Sequence, residues 1–395
     1  MPLPIIRLHP QKHRRVQSGH PWVYSNEIVM DGATKNLARG TMAAFYAHDK
    51  KFLGIGSFNA NCLIAGRLFT PHLVEDLGTD FLLERLKSAL ALREKMIGEP
   101  FYRLVHAEAD GLPGLIIDRF DGALCVQLNT AGMDLLWPAL EDALHKLLKP
   151  KHIILRNDSF AREIEGLPRE TRLIGDDITS PVEVRENELT YFADLRGGQK
   201  TGWYFDQRDN HMLIASYAKT ADSVLDLYTH AGGFALAAAK AGAKKVIGVD
   251  SSEPALALAQ QAALHNGLAS ICDFQRADVF EDLERRIEAK EQHPIVVADP
   301  PAFVKSRKDM ASGARGYRKL AKMAATVTAP GGLMFIASCS HNMELPNFIE
   351  QTAAGLNDAK RVGRILHTRF AAPDHPMHPH LPESAYLKGL LLAID

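Results

Sequence analysis

Along the second half of the chain, short apolar runs alternate with longer segments whose apolar positions recur every three or four residues. SVLDLY, KKVIGVD, ICDFQ, PIVVAD and LMFIASC are the runs, and FALAAAKAG, SEPALALAQQAALHNG and ARGYRKLAKMAATVTA are the segments. Strands alternating with amphipathic helices predict βαβ units, a parallel sheet and right-handed crossovers from about Pro181 onward. Residues 1–72 read differently. GHPWVYSNEI, TMAAFYAHD and FLGIGSFN are aromatic and β-favouring and are separated by turn signals at Asp31-Gly32, Gly40 and His48-Asp49-Lys50, which predicts a small β-barrel or sandwich. Residues 73–180 mix the two patterns. DFLLERLKSALALREKMIG and LLWPALEDALHKLLKP have helical spacing, EADGLPGLIIDRFDGALCVQLNT reads as a hairpin region and KHIILRND as a strand.

In parallel sheets ligands sit beyond the carboxyl ends of the strands. The residues that end the predicted strands are Asp226 with its glycine turn, Asp250, Asp278, Asp299 and Cys339. Gly232 and Gly233 let backbone N–H groups approach a ligand, and Asp250 is placed to accept hydrogen bonds from both hydroxyls of a ribose. The turn is not GxGxxG, and GxxxxGK[ST] occurs nowhere. An adenosine ligand without a pyrophosphate, such as S-adenosylmethionine, fits this pattern better than NAD or ATP. Asp278 is placed to meet an adenine amino group. Asp299 closes an entirely apolar strand, where a carboxylate needs a partner, and Pro300 and Pro301 stiffen the loop after it.

DPPAF, VLDLYTHAGGF, GVDSS and SCS, in this order, resemble the class I S-adenosylmethionine-dependent methyltransferases. GGQKTGWYFDQRDN (residues 197–210) is more specific and is similar to the segment before the glycine motif in the bacterial 23S ribosomal RNA methyltransferase I family of cytosine-5 enzymes. GHPWVYSNEI, YRLVHAEADGLPGLIIDRF and the terminal DHPMHPHLPESAYLKGL resemble that family too, so the likeness covers nearly the whole chain. The resemblance implies an α/β protein in three parts: a PUA-type RNA-binding β-barrel (1–72), a small α+β middle domain (73–180) and a Rossmann-like methyltransferase domain (181–395). It implies S-adenosylmethionine as cofactor, 23S ribosomal RNA as partner and, since the family is often dimeric, a homodimer. Phe205, Asp206, Gln207 and Arg208 would line the cofactor pocket. Asp226 and Gly232 would lie in the glycine-loop motif, Asp250 would hold the ribose and Asp278 the adenine. Asp299 would begin a substrate-facing loop that includes Pro300, Pro301 and Phe303.

Cytosine C5 is too weak a nucleophile to attack a methyl sulfonium unaided. A thiolate that adds at C6 makes C4–C5–C6 enamine-like, so the chemistry needs a cysteine beside a group that bonds the pyrimidine's N3/C4 edge. Cys339 is the only cysteine at the carboxyl end of a predicted strand in this region, and Asp299 ends another strand of the same sheet. Cys272 begins a strand and reads as core. The second cysteine of two-cysteine enzymes, in a D-x-P-C pattern, is replaced here by Ala302, and the lysine many members of the family carry there is absent too. A single-cysteine mechanism follows, with the base left open and His341 as one candidate. Uracil-5 methylation by the same cysteine remains open. So do an RNA-binding protein with an idle methyltransferase domain and a small-molecule or protein methyltransferase.

The formal net charge of −1 argues at first against a polyanionic partner. Counted by segment, residues 1–72 carry nine Lys/Arg against three Asp/Glu, a net +6, and residues 73–180 carry 13 against 19, a net −6. Residues 305–322 hold seven basic groups and one acidic one, and Lys305, Arg307 and Lys308 follow directly on the Asp299 loop. That is the footprint a phosphate backbone would want. A base must be unpaired or flipped out to reach a thiol in a pocket. Trp22, Tyr24, Phe45, Tyr46, Phe52 and Phe58 offer stacking surfaces, although strand spacing favours a core role for them. His375, His378 and His380 form an HxxHxH cluster, but the interleaved prolines point to a rigid loop, so no metal is expected. Four dispersed cysteines, no apolar run of membrane length and no signal-peptide core make a cytoplasmic protein the expectation.

Overall fold

The computed structural model describes residues 3–178, 181–198 and 201–395. Two compact units emerge. The first comprises residues 1–180, 195–202 and 373–384, and the second residues 181–194, 203–372 and 385–395.

The first unit holds two five-stranded sheets. The N-terminal one runs in the order Ile5–Arg7, Thr41–Tyr46, Phe52–Phe58, Ile64–Thr70, Trp22–Tyr24, parallel at the first pairing and antiparallel at the rest. Its core is Ile6, Val23, Phe45, Leu53 and Phe58. Phe45 and Phe58 are therefore packing residues and present no stacking surface, because strand alternation turns them inward. The second sheet runs Glu170–Gly175, His152–Asn157, Ala123–Leu128, Leu115–Phe120, Phe101–His106. The hairpin expected in this region is Leu115–Phe120 with Ala123–Leu128. Ala123–Leu128 and His152–Asn157 are parallel, and helix Trp137–Leu148 makes the crossover that parallel pairing requires. Arg67 donates to Glu108 (3.0 Å) and lies 3.5 Å from Glu165, and Trp22 Nε1 donates to Glu108 at 2.7 Å. Part of the basic excess of residues 1–72 is thus spent on acids of residues 73–180. The DHPMHPHLP segment is anchored here. Arg93, wholly buried, donates to Asp110 and to the Asp374 carbonyl, while Asp374 Oδ2 accepts from Arg103 N at 2.9 Å.

The second unit is a seven-stranded sheet. Its strands are β1 (Val224–Leu227), β2 (Val246–Asp250), β3 (Cys272–Arg276), β4 (His293–Ala298), β5 (Thr328–Ser338), β6 (Gly363–Arg369) and β7 (Lys388–Ile394). Their order is β3-β2-β1-β4-β5-β7-β6. β1 to β5 are parallel, as the βαβ rhythm predicts. The expectation of a wholly parallel sheet needs one correction. β7 runs antiparallel to both β5 and β6, because it inserts between them without a crossover helix of its own. The connecting helices are α1 (Arg208–Ala218), α2 (Gly233–Ala241), α3 (Glu253–His265), α4 (Val279–Glu288), α5 (Met310–Val327) and α6 (Leu345–Asp358). The core of this unit combines Leu225, Val249, Val296, Met334 and Leu390 from the sheet with Leu283, Tyr317, Leu320 and Phe348 from the helices. No helix among the described residues is long and apolar enough to cross a membrane.

Candidate active site

At the carboxyl end of β1 the chain turns sharply. Tyr228 (φ 63°) and His230 (φ 49°) adopt left-handed conformations rare for such residues, followed by Gly232 (φ 86°). A Cβ at Gly232 would sit 2.4 Å from Leu236 Cδ1, so glycine is required there. Asp226 lies beneath this loop and is fully buried. Its Oδ2 accepts from Thr229 Oγ1 (2.5 Å) and Ala235 N (3.0 Å), and its Oδ1 has no hydrogen-bond partner among the described residues. Burial pushes its pKa up to about 7, against the opposing pull of the Thr229 hydrogen bond and His211. Asp226 therefore shapes the loop from below. Under the same loop, His211 Nδ1 lies 2.6 Å from Glu186 Oε1, and its ring packs edge-on against Phe234.

Asp250 ends β2 half-buried. His230 N donates to one of its oxygens (2.9 Å) and Ser252 N to the other (2.8 Å), which fixes the carboxylate plane and leaves lone pairs on both oxygens. That arrangement fits a vicinal diol. Asp278 lies two residues beyond the end of β3. It caps α4, accepting from Phe280 N (2.9 Å) and Glu281 N (3.2 Å), and is exposed. Tyr228 faces both Asp250 and Asp278, and burial, aided by these two acids, drives its phenol up and keeps it neutral.

The GGQKTGWYFDQRDN segment enters α1 through a short 3-10 turn, Phe205–Gln207; its Gln199 and Lys200 lie outside the described residues. Phe205, Asp206, Gln207 and Arg208 are all buried. Gln207 Nε2 donates to Asp299 Oδ2 at 2.8 Å, and Gln207 Oε1 accepts from Asn210 at 2.6 Å. Asp206 accepts from the Tyr386 hydroxyl at 2.5 Å. Arg208 stacks over the Phe205 ring (5.4 Å), with Glu186 3.9 Å away.

Cys339 lies one residue beyond the end of β5, half-buried, with its Sγ 4.0 Å from the Pro300 carbonyl oxygen of the Asp299 loop. The turn that carries Cys339 thus meets the loop that Asp299 begins, at neighbouring strand ends. The other cysteines are buried, and burial raises their thiols, Cys62 to about 11 and Cys272 to about 12. The serines beside Cys339 hold its turn. Ser338 Oγ donates to the Tyr317 hydroxyl (2.8 Å), which lies 2.9 Å from Ser340 Oγ, and Ser340 Oγ accepts from Val304 N (3.1 Å). Lys388 Nζ donates to the Ser340 carbonyl at 2.7 Å.

Residue-level reading of the sequence assigned no role to Tyr317, Asn210, Tyr386 or Lys388. Lys388 carried a usable signal, a cation opening the otherwise apolar strand KGLLLAI. Phe303 packs on Tyr317 (4.8 Å) and Phe280 (6.2 Å), which makes it partly a core residue. Pro301, Lys305, Arg307 and Lys308 are exposed, and Pro300 is buried. Within the basic run, Arg318 pairs with Asp358 and Lys319 with Glu284, while Lys305, Arg307, Lys308, Arg315 and Lys322 form no salt bridge among the described residues. His341 is exposed, its ring 5.4 Å from that of Tyr386; the strand stops at Ser338, so strand alternation does not align it with Cys339. His375 is buried against Asp374 (2.9 Å), and His378 Nδ1 accepts from His380 N (3.2 Å). No three His, Cys, Asp or Glu side chains among the described residues are grouped to hold a metal ion.

Comparison with known proteins fits this geometry. Residues 6–71 match a PUA-like domain, and residues 138–393 match an S-adenosylmethionine-dependent methyltransferase model. The ribosomal RNA large subunit methyltransferase I of Aeromonas salmonicida is 38% identical over 378 residues, covering 94% of this chain and 95% of the relative. The chain belongs to this methyltransferase family. The Pseudoalteromonas atlantica member is 34% identical over 394 residues, covering 98% and 99% of the two chains. Among solved structures, the methyltransferase SMU.776 crystallised with SAH superimposes with a TM-score of 0.83 at 20% identity, covering all of both chains. A methyltransferase from Streptococcus mutans gives 0.82 at 19%, covering 99% of this chain and all of the other. At such identities the likeness concerns the fold. Family membership makes S-adenosylmethionine the cofactor, and the glycine loop with the diol-ready Asp250 is consistent with it.

Proposed function

We propose that this enzyme methylates C5 of a cytosine in 23S ribosomal RNA through a covalent bond between Cys339 and C6. The observation that carries the reading is the approach of Cys339 Sγ to the Pro300 carbonyl oxygen (4.0 Å), in the loop that Asp299 begins. The names of the relatives support ribosomal RNA as substrate.

In this reading Asp250 holds the ribose of the cofactor, Asp278 lies toward its adenine, and residues 205–208 line its pocket with Asp226 and Gly232 shaping the loop. Bound S-adenosylmethionine supplies an electrophilic methyl group. The Cys339 thiolate adds to C6, and the C5–C6 π electrons move toward C5. Asp299, held in place by Gln207, bonds the N3/C4 edge of the base. After C5 has gained its methyl group it passes its proton to a water or another base, the C–H electrons re-form the C5–C6 double bond, and the S–C6 bond breaks to release the thiolate. Pro300, Pro301 and Phe303 shape the base pocket, while Lys305, Arg307 and Lys308 meet flanking phosphates. The PUA-like domain adds affinity for RNA. The three-part division at residues 72 and 180, and a homodimeric assembly, complete the proposal.

The test incubates the protein with methyl-labelled S-adenosylmethionine and ribosomal RNA from cells lacking it, then identifies the labelled nucleoside. The expected product is 5-methylcytidine, made by the wild type and lost in Cys339→Ala. Labelled 5-methyluridine would replace cytosine by uracil, and undiminished labelling by the variant would overturn the covalent route.

A further inference from the structure

Lys388 opens β7 opposite Ser338 of β5, so its side chain reaches across the sheet end to the turn that carries Cys339. Only 4% of its surface is exposed, and its one hydrogen bond goes to the neutral carbonyl of Ser340. Among the described residues it forms no ion pair with any Asp or Glu. An ammonium taken out of water without an anion is costly, and proteins relieve the cost by pairing the cation or by removing its proton. The titratable group that faces Lys388 is the Cys339 thiol, which acts on it electrostatically.

We infer that Lys388 and Cys339 form a proton-sharing pair in which Lys388 positions and poises the thiolate of Cys339. The proton leaves Sγ and is taken up by Nζ. An uncharged thiol–amine pair thereby becomes a thiolate–ammonium pair, and the carbonyl of Ser340 holds Nζ in place throughout. Burial lowers the Lys388 pKa to about 8, and the Cys339 charge opposes that fall, so Nζ can take up or release a proton close to neutral pH.

The neighbouring titratable and charged groups are held by partners of their own. From the residue before the 3-10 turn Phe205–Gln207 and from α5, Tyr204 and Tyr317 face Cys339, and burial raises both phenols, which stay neutral. On the loop after β4, Asp299 bonds Gln207, and Tyr386, two residues before Lys388, bonds Asp206. Across β7, Arg369 of β6 donates to Asn210. His341 stacks beside Tyr386 and is exposed. The pair also answers a question raised by Ala302. The loop after Asp299 lacks a basic side chain at that position, and Lys388 brings one to the thiol from another strand.

This inference rests on Cys339 as nucleophile, but its test does not require turnover. The rate at which iodoacetamide alkylates Cys339 is followed by peptide mass spectrometry between about pH 6 and pH 10 in the full chain, its Lys388→Met variant and its Lys388→Arg variant. The wild type is expected to show a midpoint below the ~8.5 of an ordinary cysteine. Lys388→Met should move it up by roughly one to three pH units and slow alkylation at neutral pH about tenfold or more. Lys388→Arg should keep it low, because the charge persists. A common midpoint in all three proteins would overturn the pair. Should Lys388→Met fail to fold, the reciprocal measurement decides: NMR of isotope-labelled lysine should show Lys388 titrating lower in Cys339→Ser than in wild type, and an unchanged titration would overturn the inference. A methyltransferase-active Cys339→Ala protein would instead remove the nucleophile reading, a result readable apart from either titration.

Discussion

The two halves of the carboxyl edge of the seven-stranded sheet are built by different means. Over β1 to β3 each acid accepts from backbone close by in sequence: Asp226 from Ala235 N, with the Thr229 hydroxyl beside it, Asp250 from His230 N and Ser252 N, and Asp278 from Phe280 N and Glu281 N. Over β4, β5 and β7 the polar groups are tied by side chains from distant segments: Asp299 by Gln207, the serines around Cys339 by Tyr317, and the Ser340 carbonyl by Lys388. Backbone donors fixed by a turn are rigid and suit the same ligand in every cycle. Side-chain ties hold a nucleophile in place yet leave its protonation adjustable. In the proposed function, the first half binds the cofactor and the second carries the chemistry.

The comparison breaks if substitutions in the two halves have the same effect. Asp250→Ala removes a carboxylate poised for two hydroxyls, and hydrogen bonds to a charged group are worth about 1.5–3 kcal/mol. S-adenosylmethionine affinity, read by calorimetry, should fall about 100-fold. Tyr317→Phe removes the hydroxyl shared by Ser338 and Ser340. It should leave that affinity within about threefold and lower kcat about tenfold, the change that roughly 1.4 kcal/mol produces. Comparable losses of cofactor affinity in both variants would erase the distinction.

A smaller effect sharpens the role of Asp226. Its folded-state pKa of about 7 lies above its ordinary value of 3.8, so the folded protein binds a proton that the unfolded chain releases. The contribution to stability is fully present below about pH 4 and is lost as pH rises through 7. Asp226→Asn cannot titrate. The wild type's melting temperature should therefore decline relative to that of the variant between about pH 5 and pH 8. A constant difference over that range would show that Asp226 is ionised throughout and belongs with the exposed acids.

The same contrast explains what was legible in the sequence. Asp226, Gly232 and Asp250 announce themselves because a parallel strand, a glycine turn and an acid are local signals, and their partners lie within about 20 residues. Asp299 and Cys339 were legible as strand ends. Their supports were not: Gln207 is 92 residues from Asp299, and Lys388 is 48 from Ser340. Periodicity carries no information about such pairings. The antiparallel insertion of β7 was hidden for the same reason, since an apolar run does not state its direction. Asp278 adds a role that the strand pattern did not show: it caps α4, whose polar-rich VFEDLERRIE conceals its apolar face.

The central claim, that Cys339 bonds the base, is tested most directly by trapping the bond. With S-adenosylmethionine and ribosomal RNA carrying 5-fluorocytosine, fluorine at C5 leaves no proton to lose, so the thiolate cannot be expelled. The wild type should yield an RNA adduct that survives denaturation and maps to Cys339 by mass spectrometry, and Cys339→Ala should yield none. An adduct that maps elsewhere, or that forms equally in the variant, would contradict the account.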